Sequence, residues 1–182
     1  LKLRQVCCHP QLLPLDVARK VKTSAKLEQL MTLLPEMLAE GRRILLFSQF
    51  TSMLTLIEVE LKKRGLSWVK LTGQSQRRDA IIEQFTSGRV PLFLISLKAG
   101  GVGLNLPQAD TVIHFDPWWN PAVEDQATDR AHRLGQTQSV WVIKLVAQGT
   151  IEEKILALQE RKAQLAGTLY SGAAGRKEPM FT

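Results

Sequence analysis

Arg130 and Arg133 are the residues in this chain best suited to chemistry, two guanidiniums three positions apart in a stretch patterned as a helix. On a helix, Gln126, Arg130 and Arg133 fall at i, i+4 and i+7 and line one stripe. Val123, Ala127, Ala131 and Leu134 form an apolar stripe about a quarter turn away, so the arginines flank a packed face. Asn120 is a suitable N-cap, Pro121 fits the first helical position, Glu124 and Asp125 complement the positive helix end, and Gly135 supplies a stop. Planar, permanently charged donors beside a glutamine suit a polyphosphate. Spacing alone leaves a second reading equally open, a solvated helix in which Asp129 pairs with the arginines.

The other motifs are weaker. Gly100, Gly101 and Gly103, following Lys98 and Ala99, let successive backbone N–H groups converge on an anion, or else allow a tight turn after a strand. The stretch is neither G-x-G-x-x-G nor a Walker A loop, no Walker A loop occurs elsewhere, and no acidic run follows a strand to hold a metal. Arginines suited to a nucleotide, without a nucleotide cradle, imply a site completed by another domain, to which an arginine finger contributes roughly 10³ to 10⁵ in rate. Trp118 and Trp119, in a proline-flanked loop, contact nucleic acid or cap the core. His132 faces away from the arginine stripe and reads as structural. His9 and His114 stand alone, and Cys7, Cys8 and His9 lack the second ligand pair of a zinc site.

These residues need a scaffold. With 182 residues, 45% of them hydrophobic, the sequence supports one substantial core with tails. A net charge of +7 favours a polyanionic partner, with small basic clusters at Arg42-Arg43, Lys62-Lys63-Arg64 and Arg77-Arg78. Two adjacent cysteines cannot close an ordinary disulfide loop, and no run resembles a signal or a membrane span; a reducing interior is expected, with no membrane partner. Residues 1–14 open mid-pattern, as a segment entering from something upstream would. Helical periodicity follows over 24–40, with Thr23 or Ser24 as cap, Gly41 as stop and Pro35 as a kink. The runs 44–47, 68–71, 92–97, 111–115 and 140–146 read as strands. Continuous apolar runs such as 44–47 indicate strands covered on both faces. Helices are expected over 51–64 and 76–85, and from a Thr150/Glu153 capping box to about residue 165. The expected divisions are an entering segment at 1–23, a lobe at 24–166 and a loose tail at 167–182. This alternation predicts an α/β fold, an open parallel sheet with helices on both faces and ligands gathered at the carboxyl ends of the strands. Ser48-Gln49, Thr72-Gly73, the glycine stretch and the arginine helix should therefore share one edge.

Residues 44–50 and 71–73, the run from Ser96 through Lys98-Ala99-Gly100-Gly101-Val102-Gly103 to Leu106, Asp116-Pro117-Trp118-Trp119-Asn120-Pro121 and residues 126–136 resemble, in order and spacing, the second, RecA-like lobe of the Swi/Snf-like DNA translocases, P-loop-NTPase-like ATPases of helicase superfamily two. Leu3-Arg4-Gln5-Val6-Cys7-Cys8-His9-Pro10 and Gly149-Thr150-Ile151-Glu152-Glu153-Lys154 are also similar to that family. The short linkage before the strand at 92 looks like the bacterial branch. The resemblance implies that Arg130 and Arg133 reach ATP phosphates across an interlobe cleft lined by Gln126, with Gly101 and Gly103 also near the nucleotide. It implies that Ser48, Gln49, Thr72, Gly73, Ser96, Lys98, Ala99 and Gly100 touch the DNA backbone and that Trp118 or Trp119 lies near the tracked strand. ATP with magnesium would be bound mainly by an N-terminal RecA-like lobe, absent from this sequence, so the chain alone is not expected to hydrolyse it.

The expected function is the second motor lobe of an ATP-dependent double-stranded DNA translocase, acting in the nucleoid or the nucleus, with a DNA-bound protein as a further partner. The rival is a non-catalytic DNA- or protein-binding module of the same fold. A dinucleotide enzyme is disfavoured because G-x-G-x-x-G and its ribose-binding acid are both missing.

Overall fold

The computed structural model describes residues 1–14, 24–97, 104–118, 121–129, 139–147 and 150–173, the last helix with side chains to Leu165. Among the described residues the strands are β1 (Ile44–Ser48), β2 (Val69–Leu71), β3 (Leu92–Ser96), β4 (Thr111–His114) and β5 (Trp141–Lys144). They form one sheet in the order β2-β3-β1-β4-β5. All four pairings are parallel, with Ile44 opposite Leu92 on one side of β1 and Thr111 on the other. The helices are α1 (Lys2–Cys8), α2 (Ala25–Ala39), α3 (Thr51–Lys63), α4 (Arg78–Thr86), α5 (Pro121–Thr128) and α6 (Ile151–Ala173), with a short 3₁₀ turn at Pro10–Leu12.

Side chains alternate across a strand, so a continuous apolar run feeds two cores at once. Ile44, Leu46, Leu92, Leu94 and Ile113 point to one face, where Leu27, Leu30 and Leu34 of α2 and Met53, Leu54 and Ile57 of α3 cover them. Leu45, Phe47, Phe93, Ile95 and Val112 point to the other, against Phe85 of α4, Ala127 of α5 and Leu104 and Leu106. Cys8 of α1 is fully buried in the first core, so the opening segment is packed into the lobe. Burial pushes its thiol far above the ordinary range.

Helix α2 starts where Ser24 Oγ accepts from Leu27 N and runs through Pro35 to its stop at Gly41, whose φ of 82° suits glycine. Four expectations are corrected. The strand expected at 140–146 is a four-residue edge strand and mostly exposed, with Trp141 61% accessible and Arg42 stacked 5.0 Å over its ring. Helix α4 begins at Arg78 because Arg77 takes a left-handed φ of 53° after a tight Thr72–Ser75 turn. The cap of α6 uses Glu152, not Glu153: Thr150 Oγ1 accepts from Glu152 N at 3.2 Å, and the Glu152 carboxylate accepts from Ala147 N at 2.9 Å. That helix also runs past Gly167 to Ala173, with Gly172 as well as Gly167 inside it.

Glu152 is pulled inward by Lys26. The two form a buried ion pair at 2.5 Å, and Lys26 Nζ also donates to Phe115 O at 2.7 Å. One cation thereby joins the start of α2, the end of β4 and the start of α6.

Candidate nucleic-acid interface

Parallel strands end on the same edge, and here β1, β2, β3 and β4 deliver Ser48, Leu71, Ser96 and His114 to it. Just beyond, Gln49, Thr51, Thr72, Gly73, Gln74 and Ser96 line one depression of about 280 Å³. Thr72 N donates to Ser75 Oγ at 2.8 Å and Gln74 N to Thr72 Oγ1 at 3.4 Å, a local turn that holds Thr72 and Gly73 at the rim. Hydroxyls, amides and a bare glycine backbone make a neutral, donor-rich lining suited to phosphate oxygens.

Ser48 is fully buried, and its Oγ donates to Asp116 Oδ1 at 2.5 Å while accepting from Phe50 N at 3.1 Å. Asp116 Oδ2 accepts from Gln49 N at 3.1 Å. Burial pushes the Asp116 carboxyl above the usual carboxylate range, against the opposing pull of Ser48, the Gln49 backbone, Lys26 and the Gln49 side chain. Through these two bonds the Ser48 hydroxyl ties Asp116 to the Phe50 backbone at the start of α3.

A second depression of about 320 Å³ lies beside the first and shares Gln49 as a wall; Arg4, Phe50, Leu97, Trp118 and Val123 complete much of it. Arg4 Nη1 donates to Gln49 Oε1 at 3.0 Å, and its guanidinium lies 5.4 Å from the centroid of the Trp118 ring. The Trp118 carbonyl accepts from Gln159 Nε2 of α6.

Gln126 is exposed on α5, while Val123 is half-buried and Ala127 buried about a quarter turn or less away. Asp129 N donates to Asp125 O at 2.8 Å, extending the helical bonding by one residue. Arg130, Arg133, His132, Lys98, Ala99, Gly100, Gly101, Gly103 and Trp119 lie outside the described residues, as do Asn120 and Gly135. His114 is buried, stacked on Phe47 with centroids 5.7 Å apart and bonded to Thr128 Oγ1 at 3.2 Å. His9 Nδ1 accepts from Gln11 N at 3.1 Å, so both histidines are structural.

Sequence reasoning assigned no part to Asp116 or Arg4. The signal for Asp116 was a carboxylate directly after an apolar strand, which must find donors if its strand end is buried. Arg4 gave no such signal, since its partners come from two distant strand ends.

This architecture is that of a RecA-like helicase lobe. Residues 25–135 match the family described as helicase conserved C-terminal domain. The chain is 46% identical over 162 residues to DNA repair protein RAD5 of Cryptococcus neoformans, covering 86% of this chain and 14% of the relative. It is 42% identical over 169 residues to the putative ATP-dependent helicase/translocase YwqA of Bacillus subtilis, covering 90% and 18%. A Sulfolobus solfataricus SWI2/SNF2 ATPase core, solved in complex with dsDNA, superposes with a TM-score of 0.73 at 39% identity, covering 90% of this chain and 35% of that one. The chain belongs to the helicase conserved C-terminal domain family and is Swi2/Snf2-like. It spans less than a fifth of these two curated relatives, which include bacterial and eukaryotic proteins.

Proposed function

We propose that this chain is the second motor lobe of an ATP-dependent translocase that moves along double-stranded DNA and remodels what is bound to it. The observation that carries this reading is the gathering of Gln49, Thr72, Gly73 and Ser96 in one depression at the carboxyl edge, with Trp118 beside the adjoining one. The similarity to a SWI2/SNF2 core solved with dsDNA supports it. Lys98, Ala99 and Gly100 are assigned to the same DNA track, and Trp119 to its rim with Trp118. Because these groups are mostly neutral donors, they hold phosphates without reading bases.

The opposite partner is a first RecA-like lobe carrying the phosphate cradle. Arg130 and Arg133 are assigned to the nucleotide phosphates, with Gln126, Gly101 and Gly103 along the same cleft. Guanidiniums there stabilise charge that grows on phosphate oxygens during hydrolysis. Magnesium is assigned to the first lobe together with the phosphate cradle. Closure of the two lobes around nucleotide and reopening after hydrolysis advance the DNA.

The test is Arg133→Ala in a two-lobed protein that contains this chain. DNA-stimulated ATP turnover is expected to vanish with an unchanged melting curve; turnover at the normal rate removes the arginine assignment.

A further inference from the structure

Trp118 and Gln49 come from different strand ends, yet one side chain touches both. Arg4 Nη1 donates to Gln49 Oε1 at 3.0 Å while its guanidinium sits 5.4 Å over the Trp118 ring. Arginine is donor-only, so it dictates which end of the Gln49 amide faces it. The carbonyl oxygen goes to Arg4, which leaves Gln49 Nε2 buried without a hydrogen-bond partner among the described residues. Asp116 in turn fixes the Gln49 backbone and, two residues on, leads into Trp118. The result is a closed ring: Arg4, Gln49, Asp116, Trp118 and back to Arg4.

The ring has one member from outside the sheet edge. Arg4 sits on α1, whose Cys8 is locked in the core four residues later. Helix α1 therefore cannot shift without changing the hold on both the amide and the indole. Arg4 itself is half-buried and lines the second depression, whereas Thr72, Gly73 and Ser96 line the first; Gln49 is the wall between.

We propose that Arg4 is a positioning residue for DNA engagement: it locks Gln49 and Trp118 into one rigid unit and makes α1 the element that sets their posture. This rests on the reading that Gln49 and Trp118 face DNA. Stacking and a directional fork are both needed, so lysine cannot substitute.

The experiment uses a full-length, two-lobed protein containing this lobe, with Arg4→Gln, Arg4→Lys, Trp118→Ala and Arg4→Gln/Trp118→Ala. The readouts are the DNA concentration for half-maximal ATPase stimulation, the plateau rate and the salt dependence of DNA binding. Arg4→Gln and Arg4→Lys should each raise the half-maximal concentration about tenfold, with plateau rates within about twofold of the parent. The double variant should be worse than Trp118→Ala by clearly less than the Arg4→Gln effect in the parent, because the part of that effect carried by Trp118 is already lost. Three results overturn the proposal: Arg4→Lys behaving as the parent, the effects of the two sites multiplying, or Arg4→Gln lowering the salt slope by about one phosphate, which would make Arg4 a direct contact. A parent protein with no DNA dependence would instead remove the functional reading on which the inference stands.

Discussion

Asp116 shows how much one buried carboxylate decides. It is 1% exposed and accepts from Ser48 Oγ and Gln49 N, so removing it strands two buried donors. Each stranded group costs about 1–3 kcal/mol, and Asp116→Ala should lose roughly 2–4 kcal/mol in urea denaturation. Its pH behaviour has a definite sign. Because burial raises the folded-state pKa, the folded lobe holds a proton that the unfolded chain releases earlier. That contribution is complete below the ordinary carboxylate range and is lost as pH rises through the raised value. The stability difference between parent and Asp116→Ala should therefore shrink with rising pH over that window; a pH-independent difference would show that the carboxyl titrates normally. The need for donors was legible in a carboxylate directly after an apolar strand; their identity was not. Strand ends can be counted from sequence, but which polar groups meet across β1 and β4 depends on a register that only packing fixes.

At the scale of elements, the sequence told most about β1 and β3, whose apolar runs require cover on two faces, and about α2 and α3, whose helical periodicity and glycine stops mark their ends. It told least about edges and starts. The Val140 to Val146 run reads as a strand seven residues long, but only Trp141–Lys144 pair, at the sheet edge, where β5 is mostly exposed. Capping-box spacing favours Glu153, and what turns Glu152 inward instead is Lys26, a residue 126 positions away. That pair makes a prediction at this scale. Lys26→Met leaves Glu152 buried and uncompensated and should cost about 3–5 kcal/mol, whereas Lys26→Met/Glu152→Leu should recover most of the loss. Urea midpoints for the parent and these two variants decide it. If the double variant is as weak as the single, the pair contributes more than mutual neutralisation.

The whole molecule carries +7, and the depression proposed for DNA is lined by neutral groups. Attraction at a distance and seating on contact are thus divided between different residues. Binding of a two-lobed protein to duplexes should then weaken linearly in log–log against salt, by about 0.9 per phosphate neutralised, and change little when base sequence is scrambled. Strong sequence preference at fixed salt would contradict a backbone track. The distance along the chain between Lys26 and Glu152 bears on the lobe's own birth. At about 5–20 residues per second, a ribosome needs on the order of ten seconds to deliver the second partner after the first. Through that interval the lysine's charge must stay hydrated, α2 cannot settle at its final depth, and β4 waits with an open flank for β5. The buried pair that joins α2, β4 and α6 can therefore close only once the start of α6 has been made.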